Sequence, residues 1–187
     1  RVDDSDIVLF TATQLGENTA GSLSLYFDGS DVDLTTNGED TDGIELLDGG
    51  DLLISTRGSV SVMGASGADE DFLRFTPTSL GPTTAGTWSV YFDGSDVGLS
   101  SSGSEDVDAA ALDASGKIYL STSGKFSVTG MSGADEDMFV FTPVTLGTST
   151  TGAFDPTLFF DASVYGLGAN DLYAFDLTPI AAGAGVA

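Results

Sequence analysis

The sequence predicts an all-β chain built from tandem repeats of about 66 residues, each carrying four or five antiparallel strands. Three observations predict it. First, residues 21–34 (GSLSLYFDGSDVDL) and 86–99 (GTWSVYFDGSDVGL) match at ten of fourteen positions, and SGADED at 66–71 recurs unchanged at 132–137. Second, short runs rich in aromatic and β-branched residues alternate with Gly, Asp, Ser and Thr, the pattern of strands and tight turns. Third, no stretch longer than a few residues shows helical periodicity.

The repeat sets the organisation of the chain. Repeat 1 spans 3–67 and repeat 2 spans 68–133. A partial repeat 3 spans 134–177, following the pattern through FTPVTLG, FFDASVYGL and NDLYAFDL, and an apolar Ala/Gly tail occupies 178–187. Within repeat 2 the expected strands are 71–75 (DFLRF), 87–92 (TWSVYF), 109–112 (AAAL), 117–122 (KIYLST) and 125–128 (KFSV). Two hairpins are legible, LLDGGDLLI at 46–54 and ALDASGKIYL at 111–120, each with a Gly-bearing turn between apolar runs.

The run EDVDAAALDASGKIYLST at 105–122 resembles the inner hairpin of a β-propeller blade, with its Asp-led apolar strand, D-x-x-G-K turn and second strand. That resemblance implies propeller-like blades. A two-sheet β-sandwich made from the same strands is the alternative. In general style the repeats resemble the acidic tandem β-domains of secreted bacterial surface proteins, which implies an extracellular or cell-surface location.

Composition excludes several chemistries. The 187 residues contain 29 acidic and 5 basic side chains, a net charge of −24, with no His and no Cys. His- or Cys-based catalysis, zinc sites built on these residues, haem ligation and disulfides are therefore absent. The cations Arg1, Arg57, Arg74, Lys117 and Lys125 are too few to neutralise a phosphate backbone, so nucleic acid is not an expected partner. No apolar run approaches the ~18 residues of a membrane helix. The start lacks a basic segment followed by an apolar one, so any export signal is expected to have been removed already.

The acidic residues recur at matching positions in three clusters. The opening cluster is Asp3, Asp4 and Asp6, then Asp69, Glu70 and Asp71, then Asp135, Glu136 and Asp137. The DGSD loops carry Asp28 and Asp31, then Asp93 and Asp96, reduced to Asp161. The third cluster is Glu39, Asp40 and Asp42, then Glu105, Asp106 and Asp108, reduced to Asn170 and Asp171. Carboxylates beside Gly and Ser in loops are the donors that Ca²⁺ takes, six to eight oxygens at about 2.3–2.6 Å. Ca²⁺ is thus the expected cofactor, and turn chemistry through side-chain-to-backbone bonds is the competing account. Neither an EF-hand nor a GGxGxD calcium repeat is present.

Glu39, Glu70, Glu105 and Glu136 have the residue type for glycoside hydrolysis, but one motif spread evenly over tandem copies argues against an enzyme. The expected function is an extracellular, self-assembling structural or filament subunit with cation-binding acidic loops. Incomplete repeats at both ends leave sheet edges with three ways to be filled: by each other within one molecule, by more of a longer array, or by the next subunit, with residues 179–187 either lying in a neighbour's groove or fraying as a tail. The alternative is a monomeric Ca²⁺-dependent module that binds glycans or surfaces, using the DGSD loops with Trp88 or Tyr91.

Overall fold

The computed structural model describes residues 2–100 and 102–177. Among these the chain is all-β and its pairing antiparallel, apart from one isolated parallel bridge between Phe92 and Gly147. The strands are β1 (Ile7–Gln14), β2 (Ala20–Phe27), β3 (Thr41–Leu46), β4 (Leu52–Thr56), β5 (Val60–Val62), β6 (Ala65–Gly67), β7 (Phe72–Ser79) and β8 (Ala85–Phe92). They continue as β9 (Ala109–Leu112), β10 (Ile118–Ser121), β11 (Phe126–Val128), β12 (Met131–Gly133), β13 (Asp137–Thr145), β14 (Thr151–Phe154) and β15 (Phe160–Asp161). Both expected hairpins form, as β3–β4 and β9–β10. The small pairs β5–β6 and β11–β12 complete the set. No described helix is long and apolar enough to cross a membrane.

The larger sheets run β3-β4-β7-β8 and β14-β13-β10-β9, while β1 and β2 form a sheet of two. The first large sheet therefore crosses the 67/68 boundary of the sequence pattern, and the second crosses 133/134. Long hairpins share a register: Ile7 faces Phe27 and Phe10 faces Leu23, as Phe72 faces Phe92 and Phe75 faces Trp88. Phe141 faces Phe154 in the corresponding place on β13–β14. In each hairpin one glycine, Gly21, Gly86 or Gly152, lies under the ring of Phe10, Phe75 or Phe141, where a Cβ would collide with the ring. An aromatic ring covering a strand glycine shields its bare backbone and pins the register.

Two apolar cores result. One combines Phe27, Leu34, Leu52, Ile54 and Val60 with Leu73, Phe75 and Trp88 of the next hairpin. The other combines Leu99, Val107, Ile118, Leu120 and Phe126 with Phe139 and Phe141. Edge-to-face packing of Phe27 on Phe75, with centroids 5.2 Å apart, has its counterpart in Phe92 on Phe141 at 5.4 Å. Each core thus joins residues of one long hairpin, and of the strands after it, to the next long hairpin.

Candidate functional site: an acidic pocket at the β3–β9 junction

The DGSD loops wind into short 3₁₀ turns, Ser30–Val32 and Ser95–Val97. Their acids act as clamps. Asp31 accepts from the Thr84 N–H at 2.9 Å and Asp96 from the Thr150 N–H at 2.8 Å. In return the Asp28 and Asp93 N–H groups donate to the hydroxyls of Thr84 and Thr150, at 2.9 and 3.0 Å. The Asp28 and Asp93 carboxylates accept from Ser30 and Ser95 within their own turns. At these four acids the carboxylates make turn and clamp bonds.

The glutamates of the third cluster are also committed to the backbone. Glu39 accepts from the N–H groups of Thr35, Thr36 and Ser61 and from the Thr36 hydroxyl, all at 3.0–3.1 Å. Burial raises its pKa, but the bonds from Thr35, Ser61 and Thr36 outweigh it and hold the carboxyl below its ordinary value. Glu105 takes the same role, accepting from the N–H and hydroxyl of Ser100 and from the Ser127 N–H at 2.8 Å.

The opening clusters lie against the third clusters through backbone bonds: Thr41 N–H to the Asp4 carbonyl, Val107 to Asp69 and Leu172 to Asp135. Asp71 accepts from the N–H groups of Ala68 and Gly94, and Asp137 from that of Ala134. Burial raises both carboxyls. Glu70 is buried with Oε2 unpartnered. Burial, the neighbouring Asp69 and the Asp71 charge push its carboxyl up to about 7. Glu136 is buried beside Gly168, Asp135 presents its carbonyl to Leu172, and the Asp40 carbonyl accepts from Arg57 N–H.

Three predicted acids do converge. Asp42, Asp106 and Asp108 line one pocket of about 560 Å³, together with Asp171, Arg57, Ser123, Gly103 and Tyr173. Asp42 is the second residue of β3 and Asp108 precedes β9, and the two strands approach closely. A Cβ on Gly43 would press on the Asp108 carbonyl and collide with the Ser55 hydroxyl. Ser55 donates to Asp42 at 2.9 Å and Ser121 sits 2.8 Å from Asp108, equivalent bonds on successive hairpins.

Asp108 is 2% exposed and Asp106 8%, and Asp108 Oδ2, Asp106 Oδ1 and Asp171 Oδ1 are buried without a partner. Burial, with the charges of Asp42, Asp69 and Asp108, pushes Asp106 up to about 8. Burial, with Asp171 and Asp42, pushes Asp108 up to about 7. Burial takes Asp42 to about 6, against the lowering effect of Ser55 and Arg57. Asp106 and, in part, Asp108 therefore retain protons near neutrality.

Sequence reading placed Asp171 in the third cluster without giving it a ligand role and did not place Arg57 at this site. The Leu172–Asp135 bond, equivalent to Val107–Asp69, sets Asp171 where Asp106 stands beside Asp69. Arg57 carries no repeated signal. Trp88, a candidate sugar platform, is 8% exposed, and its Nε1–H donates to the Val32 carbonyl at 3.0 Å. Residues 179–187, the candidate tail for a neighbour's groove, lie outside the described residues. No protein-family model, curated protein or solved structure matches the chain.

Proposed function

We propose that this chain is a non-enzymatic, extracellular structural subunit that associates head to tail with copies of itself. One observation carries the reading. Phe10 on β1 is 41% exposed, whereas Phe75 and Phe141, at the same register of β7 and β13, are fully buried. The difference lies in what covers the hairpin. β4 pairs with β7 and β10 with β13, while β1 pairs only with β2 among the described residues.

The opposite end supports the same reading. Leu167 follows the third 3₁₀ turn, Ala162–Tyr165, as Leu34 and Leu99 follow the first two. Leu167 is 47% exposed, whereas Leu34 and Leu99 lie at 1–2%. Tyr165 and Val164 are exposed beside it. One end thus presents a hairpin lacking a cover, and the other presents part of the cover that the two internal hairpins receive.

In this reading the occupant of the β1–β2 face is a second copy, seated by the residues around Leu167. Such a contact is heterologous, so it propagates into an open filament. About 66-residue repeats, stacked openly with strand pairing from each to the next, are the fold this reading uses. Acidity, richness in Gly, Ser and Thr, and absence of Cys support a cell-surface or matrix location.

The test is sedimentation velocity over a concentration series of the full chain and of Phe10→Asp. The wild type is expected to form species that grow with concentration, and Phe10→Asp to stay monomeric with an unchanged circular-dichroism spectrum. A wild type that remains monomeric throughout overturns the proposal.

A further inference from the structure

The strongest unexplained feature is the polar accounting at the β3–β9 junction. Four carboxylates, Asp42, Asp106, Asp108 and Asp171, share one pocket with a single guanidinium, that of Arg57. Two ion pairs occur among the described residues, Arg74–Asp51 and Lys117–Asp155, and neither involves Arg57. Asp108 and Asp106 line it, are more than nine-tenths buried, and each keeps one buried oxygen without a partner. A buried acceptor left without a partner is destabilising, and more so when charged.

We infer that this pocket is a Ca²⁺ site, with Asp42, Asp106, Asp108 and Asp171 as its carboxylate ligands. Apart from Arg57, the residues lining it offer oxygen: the four aspartates, Tyr173, and Ser123, whose hydroxyl donates to the Gly103 carbonyl. An all-oxygen set selects a hard cation over zinc or copper. Its ligands come from separate chain segments, residues 42, 106–108 and 171, and the volume leaves room for water ligands. That irregular, roomy arrangement suits the six to eight flexible contacts of Ca²⁺ better than the strict octahedron of Mg²⁺. No three of the described acids are yet drawn together as a metal centre. The ion has to pull them inward, and it would tie the ends of β3 and β9 to the segment around Asp171. All ligands belong to one chain, so the site does not depend on self-association.

Calorimetric titration of the full chain with CaCl₂ in physiological salt, after chelator treatment, tests this. Saturable binding near one ion per chain is expected, at least about tenfold tighter than for MgCl₂. Asp108→Asn and Asp106→Asn are each expected to weaken it at least about tenfold. Should those variants fail to fold, Asp171→Asn at the less buried rim gives the same reading. Tyr173 lines the pocket, so Tb³⁺ should show tyrosine-sensitised emission that Ca²⁺ displaces. Tyr173→Phe should remove that emission. Heats that never saturate, or affinities unchanged in the Asn variants, would mean a diffuse counterion cloud around an acidic chain and would overturn the site.

Discussion

At the residue scale, the acids of this chain divide by what their oxygens meet. Glu39 and Glu105 each bind backbone N–H groups of a loop and of a separate strand, β5 or β11, so they act as staples. Glu105→Ala would leave the N–H groups of Ser100 and Ser127 without that acceptor, and a loss of about 1–3 kcal/mol in urea unfolding is expected. A loss below a few tenths would show that water replaces the staple. Glu70 behaves differently, because its carboxyl is raised to about 7 by burial, Asp69 and Asp71. A raised carboxyl pKa means that the folded state binds the proton more tightly than the unfolded one. Its contribution is full below the ordinary pKa near 4.5 and is lost as pH rises through about 7. Glu70→Gln, whose amide donates to Asp69 without a charge, is therefore expected to raise the melting temperature at pH 8 and to flatten its pH dependence. An unchanged slope between pH 5 and 8 would contradict this. None of this division was legible in the sequence, where SGADED and DGSD look equally suited to an ion and to a turn. Whether an Asp faces an N–H or a void depends on which distant loop arrives beside it, as Thr84 arrives beside Asp31.

At the element scale, much more was legible. The strands at 71–75, 87–92, 109–112 and 125–128 lie within or closely match β7, β8, β9 and β11, because aromatic and β-branched runs between Gly- and Asp-rich turns leave little choice of structure. The short strands β6 and β12 escaped notice because ASG and MSG are brief and nearly free of β-branched or aromatic residues. The sheets' passage across the repeat boundaries was also hidden, since a repeat's phase in sequence is arbitrary with respect to strand pairing. Clamps between successive elements rest on two threonines. Thr150 donates its hydroxyl to the Gly147 carbonyl at 2.8 Å, accepts from Asp93 N–H and gives its own N–H to Asp96. Thr150→Val keeps the shape but strands the Asp93 N–H, so a destabilisation of about 1–3 kcal/mol is expected in urea unfolding. An equal loss is expected for Thr84→Val, whose bonds are the same in kind. A neutral result at both positions would remove the clamps from the account.

At the scale of the whole molecule, a charge of −24 on 187 residues opposes compaction through self-repulsion. Screening lessens that repulsion, so in chelator the melting temperature is expected to rise with NaCl concentration, and a flat response would contradict the electrostatic cost. Apolar burial is uneven along the chain: two hairpins sit in closed cores, while β1–β2 leaves Leu9, Phe10 and Leu23 in water. Burying such side chains contributes roughly 1.5–3 kcal/mol each, enough for a few to drive association. Amide hydrogen exchange across β1, compared between dilute and concentrated protein, tests that claim most directly. The account predicts that amides between Val8 and Ala12 exchange rapidly when dilute and become protected as concentration rises, while those of β7 stay protected throughout. Exchange at β1 that is equally fast at every concentration would contradict it.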